Sequence, residues 1–168
     1  LASARLNGRL TWVVFGCRPE PVEGVRVDYR GRVFGQELAK LYCECHICLV
    51  PSWFESFPLP QLEAMACGTA VVSTPSGAED YLFPGKNALS APPGDPAAIS
   101  GAIVRLAQSR ELCRSLVESG LRTAPLFAWD KSVKQLEMVF AAGVAARGEN
   151  KFERLMAELT VPGRAGRN

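Results

Sequence analysis

Two glutamates, Glu55 and Glu63, stand on either side of Pro58 and Pro60 in the stretch WFESFPLPQLEAMACGTAVV, residues 53–72. A proline at the first helical position is favourable, because its fixed φ suits the first turn and its missing N–H has no partner to lose there. A short helix is therefore expected to start near Pro60, run through PQLEAMACG and close at Gly68. Glu55 then lies in the loop before the helix, and Glu63 within its first turns. Free N–H groups and the macrodipole draw an anion to such a helix start, and a phosphate is the natural occupant. A carboxylate one turn further in can accept hydrogen bonds from ribose hydroxyls, which suits Glu63. Glu55, on the other side of the phosphate, suits the hydroxyls of whatever sugar is attached beyond it. A plainer account exists, in which Glu63 complements the helix dipole and Glu55 is a solvated loop residue, and the spacing alone does not separate the two.

The elements that must hold these residues read as alternating strands and helices. RLTWVVFG is a β-branched and aromatic run ended by glycine, and VRVDYRG is a second strand after the Pro-rich turn CRPEPVEG. GQELAKLYCECH has apolar residues at helical spacing, ICLVPS is a short strand, and AVVST and NALSAPP are further extended pieces. DPAAISGAIVRLAQS is a helix entered at Asp95 as N-cap with Pro96 next. From Glu111 to Phe140 the pattern is helical with a break near Pro125, and NKFERLMAEL is a candidate last helix. Strands apolar on both faces alternating with helices predict an α/β, Rossmann-like three-layer domain, a parallel sheet with helices on both faces. The expected division is a domain over 1–145 and a C-terminal helix and tail over 146–168. The loop bearing Glu55 follows ICLVP, so it belongs at the carboxyl edge of the sheet, where open α/β sheets bind ligands.

Composition sets the outer limits. The 168 residues, 48% hydrophobic and 21% charged with a net charge of +2, suit one globular domain and give no sign of a nucleic-acid partner. No apolar run approaches membrane-spanning length and the first residues do not resemble a signal peptide, so a cytoplasmic location is expected. The six cysteines read as reduced core thiols rather than a disulfide framework. Within CECHIC, a helix would put Cys43 and His46 on one face and Cys45 and Cys48 on another, so no metal site is expected.

PSWFESFPLPQLEAMACGTAVVSTPSG resembles the donor-binding motif of retaining glycosyltransferases with the GT-B fold, the glycosyl transferases group 1 family. Matching segments lie in order on both sides, from about residue 10 to 140. The resemblance implies the carboxyl-terminal half of a GT-B enzyme that moves a sugar from a nucleoside diphosphate to an acceptor hydroxyl with retention. It assigns Glu55 to the donor sugar as the catalytic position and Glu63 to the ribose. Ser56, Phe57, Pro58 and Leu59 correspond to the loop along the sugar and diphosphate, and Arg32 and Val33 to a turn whose backbone contacts the base. Asp80 falls where the family has an acid of less certain role. The family needs no cofactor and no divalent metal beyond its nucleotide-sugar donor.

Departures accompany the match. Pro58 removes a backbone donor where the family has glycine, Ser76 replaces the first glycine of a Gly-Gly pair, and Ala70 replaces a proline. The family's acceptor-binding domain and the basic pair that neutralises the diphosphate precede this stretch, and Arg18 is a poor substitute by position. The expected partners are thus the nucleotide-sugar donor and an N-terminal acceptor-binding domain or subunit, without which the chain is expected to be inactive, with peripheral membrane association an option for the full enzyme. Two other readings stay open: a non-catalytic nucleotide-sugar binding module, and a GT-B relative such as a nucleotide-sugar epimerase.

Overall fold

The structure is a computed structural model that describes residues 2–18, 20–21 and 23–145. The candidate helix NKFERLMAEL and the tail, within 146–168, lie outside the described residues. In chain order the elements are α1 (Ala2–Arg5), β1 (Trp12–Val14), β2 (Val27–Tyr29), α2 (Gly35–Glu44), β3 (Ile47–Val50) and α3 (Leu59–Ala66). There follow β4 (Ala70–Ser73), β5 (Leu89–Ser90), α4 (Pro96–Gln108), α5 (Arg110–Thr123), a 3-10 turn (Ala124–Phe127) and α6 (Trp129–Ala145).

Among the described residues the strand pairings are parallel, and the unbroken apolar runs of β3 and β4 fit that arrangement. β4 shows why: Val71 packs on one side with Tyr42 of α2 and Leu62 and Met65 of α3, while Ala70 and Val72 pack on the other with Ile103 and Leu106 of α4. All four β4 residues are buried. Burying a side chain such as Val72 stabilises by about 1.5–3 kcal/mol, so a polar residue at Val71 or Val72 would be costly, while Ser73 is accommodated by donating to the Val50 carbonyl at 3.1 Å. The result is the three-layer α/β arrangement the sequence predicts. It differs in one respect, since the strands form two ladders, β1-β2 and β3-β4-β5, rather than one continuous sheet.

Local chemistry fixes the helix ends. Asp95 caps α4 by accepting from the Ala98 N–H at 2.8 Å, with Pro96 in the first position. α3 closes where Gly68 takes φ +73°, with the Gly68 and Thr69 N–H groups donating to Met65 and Ala64 carbonyls. The break foreseen near Pro125 is the 3-10 turn between α5 and α6.

The expectation of reduced core thiols holds in part, since Cys48, Cys67 and Cys113 pack against the core. None is disulfide-bonded, but Cys17 and Cys43 are exposed and the other four are half-buried. The reason is local: Cys17 follows β1 in a loop, and Cys43 lies on the outer side of α2, whose inner side carries Leu41 and Tyr42. CECHIC is not one helix either, because α2 ends at Glu44 and β3 begins at Ile47. Among the described residues no three His, Cys, Asp or Glu side chains are grouped to hold a metal.

Candidate functional site

α3 begins at Leu59, with Pro58 as N-cap and Pro60 in the second position. Prolines thus occupy two of the four positions whose N–H groups lack intrahelical acceptors, leaving those of Leu59 and Gln61. Pro58 supplies no side-chain capping bond. The helix start therefore offers an anion two backbone donors and the dipole, fewer than an unsubstituted helix end would. Glu63 is the fifth residue of α3 and outside its first turn, so the plainer account of it as a first-turn dipole partner does not fit its position.

A pocket of about 400 Å³ opens in front of this helix start. Phe15 and Gly16, just past β1, and Arg32, Val33 and Phe34, just past β2, form one wall. Leu59, Pro60 and Glu63 of α3 form the other, and Leu38 and Tyr42 of α2 close it. All the loop contributions come from the carboxyl ends of strands, as a ligand site in a parallel sheet requires. The volume is in the range of small-molecule sites, roughly 300–1,000 Å³. Four of the residues singled out in the sequence, Arg32, Val33, Leu59 and Glu63, meet here.

Glu55 lines a neighbouring cavity of about 840 Å³, which shares Phe15, Tyr42 and Pro60 with the first. Its carboxylate is half-buried and accepts from the Ser52 hydroxyl at 2.9 Å. Ser52 is held in turn, its carbonyl accepting from the Thr74 hydroxyl at 2.6 Å. Gly77, at φ +75°, lies so close to the Glu55 backbone that a Cβ there would overlap the Glu55 carbonyl.

Of the remaining loop residues, Phe57 and Pro58 serve the scaffold. Pro58 is buried and its carbonyl accepts from the Tyr81 hydroxyl. Phe57 turns its ring onto Tyr81 and Phe127, with centroids 5.3 and 6.1 Å away. Ser56 is exposed. Ser56, Phe57 and Pro58 line neither cavity, and nor do Arg18 and the half-buried Asp80.

Tyr42 is the residue that sequence reasoning passed over. Its hydroxyl donates to Glu63 Oε2 at 3.1 Å, and its carbonyl accepts from the Thr69 hydroxyl at 2.6 Å. Burial, with Cys48 and Glu63 alongside, pushes its phenol well above the ordinary tyrosine range, so it remains a donor. Its place in the helical pattern of GQELAKLYCECH marks it only as apolar-facing, and the Glu63 contact spans elements far apart in the chain. Ser52 and Gly77 lay inside the quoted motif, which was the available signal for them.

Comparison with known proteins gives the family of the chain. Residues 2–109 match the family model described as glycosyl transferases group 1, and the chain belongs to that family. A D-inositol 3-phosphate glycosyltransferase of Salinispora arenicola is 34% identical over 120 residues, covering 71% of this chain and 27% of that protein. An MMP alpha-(1->4)-mannosyltransferase of Mycolicibacterium hassiacum is 33% identical, over 66% of this chain and 28% of its own length. Among solved structures, a sucrose-phosphate synthase from Thermosynechococcus elongatus superposes with TM-score 0.67 at 32% identity, over 72% of this chain and 31% of that one. Anabaena HepE, solved in complex with UDP-glucose, shares the fold at TM-score 0.65 and 20% identity, over 70% of this chain and 32% of that one. The chain thus spans about a quarter to a third of the length of these relatives.

Proposed function

We propose that residues 1–145 are the donor-binding half of a retaining glycosyltransferase, acting on a nucleoside diphosphate sugar. The observation that carries this reading is the single pocket that joins the Arg32–Val33 turn, the start of α3 and Glu63. In this reading the base lies against the Arg32–Val33 backbone, Glu63 accepts from the ribose hydroxyls, and the diphosphate faces the Leu59 and Gln61 N–H groups. The sugar then extends past Pro60 toward Glu55, which receives its hydroxyls. Tyr42 keeps the Glu63 carboxylate turned toward the pocket.

The reaction breaks the bond between the anomeric carbon and the diphosphate oxygen and forms one to the acceptor oxygen on the same face. The electron pair leaves on the diphosphate, and the amino-terminal start of α3 stabilises part of that charge. Its two backbone donors are a modest supply, and Arg32 in the same pocket wall adds a positive charge. The acceptor site belongs to an additional domain or subunit, and this chain alone is proposed to bind donor weakly and transfer nothing. The HepE complex with UDP-glucose supports the donor class for a protein of this fold.

Thermal-shift measurements with uridine, guanosine, adenosine and thymidine diphosphates and their sugars test the proposal, because a ligand of the folded state raises the melting temperature. One base series should stabilise the protein. Absence of any shift with all four would count against a nucleotide site.

A further inference from the structure

Two of the six thiols meet outside both cavities, where α2 and α3 end side by side. The Tyr42 carbonyl, one residue before Cys43, accepts from the Cys45 N–H at 3.1 Å and from the Thr69 hydroxyl at 2.6 Å. Thr69 follows Cys67 by two residues, so the last turn of α2 is tied to the turn that closes α3. The Tyr42–Glu63 bond joins the same helices one turn before Cys67. Within this junction the Cys43 thiol, although exposed, reaches the Cys67 thiol, and the two share a hydrogen bond.

The two thiols differ in access and in support. Cys43 is open to solvent, so an oxidant meets it first. Cys67 is half-buried, packs against the core cluster that holds Tyr42 and Leu62, and donates its N–H to the Glu63 carbonyl at 3.1 Å. Burial, with Cys43 beside it, raises the Cys67 thiol above the ordinary range, so it waits protonated against the sulfur it would attack. A pair that only filled space would be shielded at both members, and this one is open at Cys43.

We propose that Cys43 and Cys67 form a thiol oxidation site, an exposed thiol with its resolving partner, whose co-reactant is a hydroperoxide. With hydrogen peroxide, the Cys43 thiolate attacks one oxygen; an S–O bond forms as the O–O bond breaks, and the released hydroxide takes a proton and leaves as water. The Cys67 sulfur then attacks the Cys43 sulfur. An S–S bond forms, the S–O bond breaks, and the hydroxyl leaves as water with the Cys67 proton. The thiol pair is oxidised by two electrons and the peroxide is reduced to two waters. The bond would link the helices that carry facing walls of the smaller pocket, α2 with Leu38 and Tyr42 and α3 with Leu59, Pro60 and Glu63. Oxidation would thus fix the spacing of these helices covalently, and a dithiol would release it.

Equimolar hydrogen peroxide added to the natural full-length protein, followed by alkylation of the remaining thiols and peptide mass mapping, tests this. Cys43 and Cys67 should lose alkylation together and ahead of the other four cysteines, in one cross-linked peptide pair lighter by the hydrogens lost. Dithiothreitol should restore both. In Cys43→Ser, Cys67 should stay alkylatable under the same treatment. The proposal is overturned by sulfinic acid at Cys43 with Cys67 still free, by Cys43 and Cys67 both staying alkylatable, or by either pairing instead with Cys45 or Cys48. Cross-linked pairs that join isotopically light to heavy copies would also overturn it, because the bond would then lie between molecules.

Discussion

Gly77 lies against the backbone carbonyl of Glu55, and a Cβ at Gly77 would also stand 3.2 Å from the Glu55 side chain's first carbon. The turn after β4 therefore determines where the loop after β3 can run, and with it the position of the proposed sugar-facing carboxylate.

Gly77→Ala should disturb this loop in two ways. Alanine is disfavoured at φ +75°, and its methyl would displace Glu55. The expected loss of stability is about 1–3 kcal/mol, the usual range for strain at such a position. Urea unfolding measures it. The same substitution at Gly101, where a Cβ meets nothing within 4 Å, should cost nothing comparable.

Glu63→Ala should weaken nucleotide binding by about 1–3 kcal/mol, the loss expected for a hydrogen bond to a charged group. The Tyr42 hydroxyl loses its acceptor in this variant, so stability should also fall, by about 1–3 kcal/mol, whereas Glu63→Gln keeps an acceptor and separates a binding role from a structural one. Tyr42→Phe removes the 3.1 Å bond to Glu63 and should give a smaller loss in the same direction, about 0.5–1.5 kcal/mol. Calorimetric titration of both variants checks the order.

The alkaline side of the pH profile follows from the half-buried Cys48 and the buried Tyr42 and Tyr81. Burial, with Cys45 and Glu63 nearby, pushes the Cys48 thiol up to about 12, and burial also raises the Tyr42 and Tyr81 phenols. Each is neutral in the folded state at pH values where its unfolded counterpart ionises, so the folded state binds more protons and stability falls as pH rises. The contribution of Cys48 is fully present below about pH 8.5, the ordinary thiol value, and is lost as pH rises toward 12. The tyrosine contributions begin to fall above about pH 10. Melting temperatures measured from pH 7 to 11 should decline with steepening slope, and the slope below pH 10 should flatten in Cys48→Ala. A profile flat to pH 10.5 would contradict the burial of these groups.

Much of this was legible in the sequence for physical reasons that act locally. Asp95 before Pro96, the proline-started helix ended by Gly68, and the apolar run AVVS each specify their own backbone, and each forms as read. Resemblance then supplied Arg32 and Val33, which no local pattern distinguishes from an ordinary turn. What could not be read depends on distant pairs. The Tyr42–Glu63 bond, the Ser52–Glu55 bond with its Thr74 support and the overlap forbidden at Gly77 are set by how elements stack. Phe57 shows the converse: its place in a binding motif gave no hint that its ring would join Tyr81 and Phe127. The split between β1 and β3 is likewise invisible, because both strands have ordinary strand composition.

The central claim is that a nucleoside diphosphate occupies the pocket between the β2 turn and the start of α3. Backbone amide shifts of the labelled full-length protein, followed during titration with the diphosphate that gives the largest thermal stabilisation, test it most directly. The account predicts that the largest changes fall on Arg32, Val33, Leu59, Gln61 and Glu63. Changes that cluster elsewhere and leave these five amides unmoved would contradict it.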